Sequence, residues 1–140
     1  MSKLTRKDYP LGQHRTDLIF TPTGKSYDEL TLDAALNGEI SSEDIRISPE
    51  TVLYHAEIAE SLNRVQLGKN FRRAAELIRI SDKRILEMYN ALRPNRSTKE
   101  ELQAIADELE QEYGAIENAK LIKEAADVYE RRGILRQEEV

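Results

Sequence analysis

An all-α fold, in which an irregular extended N-terminal arm leads into a bundle of four to five short amphipathic helices, is what this sequence predicts, on three observations. From residue 48 onward, apolar side chains recur at spacings of three and four, the period of a single helix face. The segments with that period are separated by Pro and Gly placed where helices start or stop. Before residue 48 the apolar residues follow no helical period, and no alternating run is long enough to establish a strand. The chain therefore divides into a partner-binding arm with one short helix over residues 1–47, a helical domain over 48–133 and a C-terminal tail over 134–140.

In the arm, Pro10 biases Tyr9 toward extended geometry and Gly12 suits a bend. Leu18-Ile19-Phe20 forms a second apolar patch, and Thr21-Pro22-Thr23-Gly24-Lys25 reads as a turn. Thr31 to Leu36 makes one short helix, with Gly38 placed to end it in the left-handed conformation; at that length it is marginal in isolation. Glu39 to Ile47 admits a short extended piece but no sheet.

Ser48-Pro49-Glu50 opens the first strong helix, with Ser as N-cap, Pro at the first helical position and Glu against the helix dipole. Val52, Ala56, Ala59, Leu62 and Val65 form its stripe, and Gly68 is expected to break or kink it before a second helix carrying Phe71, Ala74, Ala75 and Ile78. Ser81-Asp82 starts a third helix with Ile85, Met88, Tyr89 and Leu92, stopped at Arg93 by Pro94. Ser97-Thr98-Lys99-Glu100 reads as a capping box between Ser97 and Glu100. It opens a helix with Leu102, Ile105, Ala106, Leu109 and Tyr113 on one face, ending near Gly114. The last helix runs from about Ile116 to Arg132, with Ile122, Ala125, Ala126 and Tyr129 inward and Gly133 as its cap.

Composition narrows the function. Hydrophobic residues are 39% of the chain, charged residues 34%, and there is no Trp. That is thin material for a core of 140 residues, and it favours an elongated helical protein whose core a partner completes. The absence of Cys removes disulfides, thiolate nucleophiles and thiolate metal sites. No run approaches the roughly 20 apolar residues of a membrane span, and the start has no signal-peptide core, so a soluble, cytoplasmic chain is expected. A net charge of −5 argues against a nucleic-acid footprint. The charge is uneven: six basic residues against two acidic lie between Lys69 and Arg84, and six acidic residues and no basic one between Glu100 and Glu112. Two solvated helix faces that attract each other account for this, as would a docking stripe for a partner of opposite sign.

Catalytic constellations are scarce. His55 has only Ile58 and Ala59 within reach at i+3 and i+4, His14 lies in the arm, and no zinc spacing exists. The carboxylates Asp107, Glu108, Glu110 and Glu112 sit on one exposed helix without an apolar pocket to tune them. Gly24-Lys25 lacks the first glycine and the preceding strand of a P-loop. No catalytic, cofactor-binding or metal-ligating residue is expected in this chain.

Six stretches read in order, DYPL at Asp8, TPTGK at Thr21, DIRISPET at Asp44, NFRRAAEL at Asn70, RILEMYNALRP at Arg84 and AIADEL at Ala104, resemble the small (gamma) subunit of adenosylcobalamin-dependent glycerol and diol dehydratases. The resemblance covers about Asp8 to Arg132. It implies a hetero-oligomer of large, medium and small subunits paired as a dimer of heterotrimers. Adenosylcobalamin is then bound by the large and medium subunits and not by this chain. The implied reaction converts glycerol or 1,2-diols to aldehydes and water by a radical mechanism, a carbon–oxygen lyase activity in which this chain is a non-catalytic support. Only seven residues precede Asp8, too few for the targeting helix of microcompartment-associated relatives, so the glycerol type, free in the cytoplasm, is expected. Tyr9, Leu11, Ile19 and Phe20 of the arm, with Arg72, Arg73, Tyr89 and Arg93 of the helices, are the expected partner contacts. The competing reading is a free-standing helical adaptor that binds an acidic partner through the Lys69–Arg84 stripe.

Overall fold

In the computed structural model, which describes residues 2–138, every regular element among the described residues is helical. Seven α-helices follow one another: α1 (Leu11–His14), α2 (Leu32–Leu36), α3 (Pro49–Ser61), α4 (Val65–Leu77), α5 (Asp82–Ala91), α6 (Lys99–Tyr113) and α7 (Ile116–Arg132). Met1 and the last two residues of the C-terminal tail lie outside the described range. The chain forms two compact units, one running to Ala75 and the other beginning at Glu76.

In the first unit the arm is a succession of single helical turns, with 3-10 turns at Arg6–Asp8, Thr16–Leu18, Tyr27–Glu29 and Ser42–Ile45 around α1 and α2. Thr5, Ser26 and Ser41 each form a capping box with the acidic residue three positions on, which explains why such short turns hold. The expected turn at Pro22 is present: the Gly24 amide donates to the Thr21 carbonyl at 2.9 Å, and Phe20 and Ser26 meet as an antiparallel bridge across it. The extended piece expected between Glu39 and Ile47 is instead the 3-10 turn at Ser42–Ile45, because Asp44 returns to cap Ser41.

The arm packs on α3. Leu4 and Leu11 are buried against Ile58, with Leu18, Ile19 and Tyr54 around them, and the Leu4 amide donates to Glu57 Oε2 at 2.9 Å. Helix α3 is thus covered on the Tyr54–Ile58 side as well as along Val52, Ala56 and Ala59, as expected of a helix whose apolar residues run most of the way round.

The start of α3 at Ser48, with Pro49 first, agrees with the sequence reading, but its end does not. The helix stops at Ser61, and Asn63 takes a φ of 57°, a left-handed conformation that Asn tolerates better than most residues. Val65 accordingly belongs to α4. Gly68 is no break; it sits buried inside α4, and a Cβ there would meet Glu60 Cγ at 2.8 Å. The glycine permits close approach of α3 and α4 rather than a kink.

The second unit is built on α6 and α7, whose inner faces bury Leu102, Ala106, Leu109, Ala119, Ile122 and Ala126; Met88 of α5 and Ile80 join them. Ser81 caps α5 as expected. The capping box of α6 lies one residue later than the Ser97–Glu100 reading: Thr98 Oγ1 accepts from the Glu101 amide at 3.3 Å and Glu101 Oε2 from the Thr98 amide at 3.0 Å. Ser97 is withdrawn from that role because its buried hydroxyl donates to the Ala91 carbonyl at 2.8 Å. Gly114 and Gly133, at φ 60° and 67°, end α6 and α7. The start of the C-terminal tail is strapped down, with the Asn95 amide donating to the Ile134 carbonyl and the Arg136 amide to the Ser97 carbonyl, each at 2.8 Å.

Candidate partner-binding surface

The eight candidate contacts fall into three groups. Leu11 and Ile19 are used within the chain itself, in the cluster beneath α3. Tyr9 remains 56% exposed, although its ring meets His55 edge-on at 6.3 Å. His55 in turn lies 5.7 Å from Phe71, so the half-buried imidazole is a packing piece between two aromatic rings. Phe20 is 47% exposed at the edge of the turn.

Arg72 and Arg73 form the second group. Arg72 chelates Glu60 through Nε at 2.7 Å and Nη2 at 3.0 Å, and this pairing holds the Glu60 carboxyl below its usual range. Arg73 donates to Asn70 Oδ1 at 2.7 Å. The basic stripe is partly consumed by neighbours: Arg84 grips Glu108 on both carboxylate oxygens, which lowers the acidity range of Glu108 and joins the basic segment to the acidic one. The attraction of two helix faces expected from the charge pattern is realised in that pair.

The third group is free to meet a partner. Tyr89 is 67% exposed on α5, Arg93 follows it one turn on, and neither makes a side-chain bond among the described residues. Leu86, 61% exposed, lies on the same flank at i−3 from Tyr89.

Sequence reasoning missed the most exposed apolar side chains of the first unit. Leu32 and Leu36 of α2 are each 75% exposed, and Ile45 is 81% exposed. The usable signal is the i, i+4 pair of leucines around Ala34, which takes the inward position.

The same unit holds a buried carboxylate. Asp44, whose side chain has no exposed surface, accepts from Lys25 Nζ at 2.7 Å, from the Thr23 hydroxyl and from the Ser41 amide at 2.8 Å. Lys25 foremost, then Thr23 and Ser41, hold its carboxyl far below the ordinary range.

Among the described residues no three His, Asp or Glu side chains are placed to hold a metal ion, and no helix is long and apolar enough to cross a membrane. A groove of about 380 Å³ beside α5 and α6 is lined by Arg84 and Glu108, already bonded to each other. A second, of about 300 Å³, lies along α2.

A family model described as the dehydratase small subunit matches residues 4–136. The propanediol dehydratase small subunit of Citrobacter freundii is 49% identical over 125 residues, which cover 89% of this chain and 73% of that protein. That of Salmonella typhimurium is 49% identical over 125 residues, covering 89% of this chain and 72% of the relative.

Proposed function

The chain belongs to the dehydratase small-subunit family, and from that membership we propose that it supports a larger catalytic subunit in a complex that converts 1,2-diols to aldehydes and water. The observation that carries this reading is 49% identity to two propanediol dehydratase small subunits over 89% of the chain. The substrates are 1,2-propanediol, after the names of those relatives, and glycerol, the chemically adjacent triol. The free-standing adaptor reading has no comparable support.

The reaction belongs to a cobalamin-dependent enzyme, and this chain's own residues do not fit the cofactor. Its grooves of about 380 and 300 Å³ are shallow and edged with charge, and the ring of His55 is packed between Tyr9 and Phe71. In this reading adenosylcobalamin is held by the large and medium subunits, in a cytoplasmic dimer of heterotrimers. This chain acts at a distance. By stiffening the subunit that closes around a reactive intermediate, it helps to exclude water and side reactions. The exposed Tyr9, Phe20, Tyr89 and Arg93 are residue types that anchor interfaces.

Reconstitution tests the proposal. The large and medium subunits with this chain should form one complex and produce aldehyde from glycerol and from 1,2-propanediol when adenosylcobalamin is added; leaving this chain out should lower both assembly and turnover. Equal assembly and turnover without it would sink the proposal.

A further inference from the structure

Between Ser26 and Ile45 the sequence has six carboxylates, Asp28, Glu29, Asp33, Glu39, Glu43 and Asp44, and no Lys or Arg. Two have internal duties: Glu29 caps Ser26, and Asp44 is bonded to Lys25. The other four, Asp28, Asp33, Glu39 and Glu43, are exposed and in no ion pair among the described residues. Unneutralised charge of one sign at this density repels itself and costs stability unless something opposite meets it.

The same segment carries the most exposed large apolar side chains among the described residues, Leu32 and Leu36 at 75% exposure and Ile45 at 81%, with Ile47 at 51% just beyond it. Helix α2 has five residues and is far too short to persist on its own hydrogen bonds. Only Ala34 of α2 is buried, so packing inside the chain does not explain why the two leucines occupy these positions.

The segment is also held in shape. Asp44 receives Thr23 and Lys25 from one end of it and Ser41 from the other, so a single buried carboxylate clips the stretch from Ser26 to Ile40 into a closed loop. The Thr31 hydroxyl accepts from the Ala34 amide at 3.1 Å and fixes the start of α2 within that loop. A clipped loop loses less freedom on binding than a slack one, which is how preorganisation strengthens association.

We propose that this loop is a docking device: Leu32 and Leu36 enter an apolar groove on the larger dehydratase subunit, and Asp28, Asp33, Glu39 and Glu43 meet arginine and lysine along the groove's rim. The inference rests on the subunit reading above and specifies the chemistry of its contact. The acidic rim sets the choice and rate of partner encounter, and the leucines set how long the complex lasts.

The test uses the complex, with tagged chain and untagged large and medium subunits, and reads the dissociation constant at low and at high salt. Leu32→Ser with Leu36→Ser should weaken assembly at least about tenfold, as losing the burial of two leucines requires. Leu32→Met with Leu36→Met should restore it. Asp33→Lys with Glu39→Lys should also weaken assembly and flatten its decline with salt, because the attraction being screened is gone. Circular dichroism of the serine pair should match the parent, since both side chains point away from the core; if it does not, the lysine pair decides alone. Parental affinity and parental salt dependence in the serine and lysine pairs would overturn the docking loop and leave the subunit reading intact. Failure of the unsubstituted chain to join the complex would overturn both.

Discussion

Removing the Glu76 carboxylate should destabilise the second unit by loosening the start of α7, a helix that has no cap of its own. Its N-cap position is Ala115, which offers no side-chain acceptor. The first-turn amides are met instead by Glu76, 41 residues earlier: Oε1 accepts from the Glu117 amide at 3.0 Å, and Oε2 from the Asn118 amide at 3.0 Å and from Asn118 Nδ2 at 2.7 Å. Loss of an N-cap costs about 1 kcal/mol, and a negative charge at a helix start adds about 0.3–1 kcal/mol. A charged hydrogen bond to the buried Asn118 contributes about 1.5–3 kcal/mol, and because three bonds to one carboxylate are not additive, Glu76→Ala should cost about 2–4 kcal/mol in all. With a urea slope near 2 kcal/mol/M, the unfolding midpoint should fall by roughly 1–2 M at unchanged slope. Glu76→Gln keeps one acceptor oxygen and should lie between the alanine variant and the parent. Hydrogen exchange locates the effect, with protection lost first at the amides of Glu117 and Asn118. An alanine variant within about 0.5 kcal/mol of the parent, with those amides still protected, would refute the capping argument.

Leu102 is fully buried where α6 meets α7, so Leu102→Ala should cost about 3–5 kcal/mol in chemical denaturation, against less than about 1 kcal/mol for the exposed Leu86→Ala. Gly68→Ala introduces a Cβ 2.8 Å from Glu60 Cγ; the loss, about 1–2 kcal/mol net of the helix propensity gained, should vanish when Glu60→Ala is added, which a double-mutant cycle reads directly. Glu60, Asp44 and Glu108 have lowered acidity ranges in the folded chain, so each contributes stability above its unfolded value of 3.8 or 4.5 that is lost as pH falls through the folded value. Lys99 and Lys123, raised above 10.5 by Glu130 and Glu110, act in the opposite sense and lose their contribution as pH rises past that value. A pH series of thermal midpoints should therefore be flat from about 5 to 10 and fall most steeply below about 4. Asp44→Asn should open the clipped loop and speed proteolysis between Gly24 and Ile40 several-fold without moving the unfolding of the second unit.

Helices α5, α6 and α7 were legible because their stripes, caps and stop signals are local, and Ser81, Gly114 and Gly133 act where local chemistry places them. The misreadings share one cause. Gly68 looks like a break because a sequence shows the missing Cβ but not Glu60 lying against that position from α3. Ser97 and Thr98 are equally good caps in a string of letters, and only the Ala91 carbonyl, reached by folding, takes Ser97 out of contention. The cap supplied by Glu76 has no local signature, since donor and acceptor are 41 and 42 residues apart.

The arm shows how far that limit extends. Leu4, Leu11 and Ile19 have no period because their partner is one side of α3, about fifty residues away, so an aperiodic apolar string can be a packed one. Aperiodicity alone therefore does not mark a partner-binding segment. What marks it is apolar surface still exposed after the chain has folded, and by that measure the arm divides: its first part closes over Ile58, while Leu32, Leu36 and Ile45 remain outside on a loop held by Asp44. A buried carboxylate is a costly way to shape a surface loop, since Asp44 must be taken from water and fully bonded while Lys25 stays partly solvated. Its presence is intelligible if the loop's shape is what a partner reads, and the proposed docking loop would give the Asp44 clip its part in assembly.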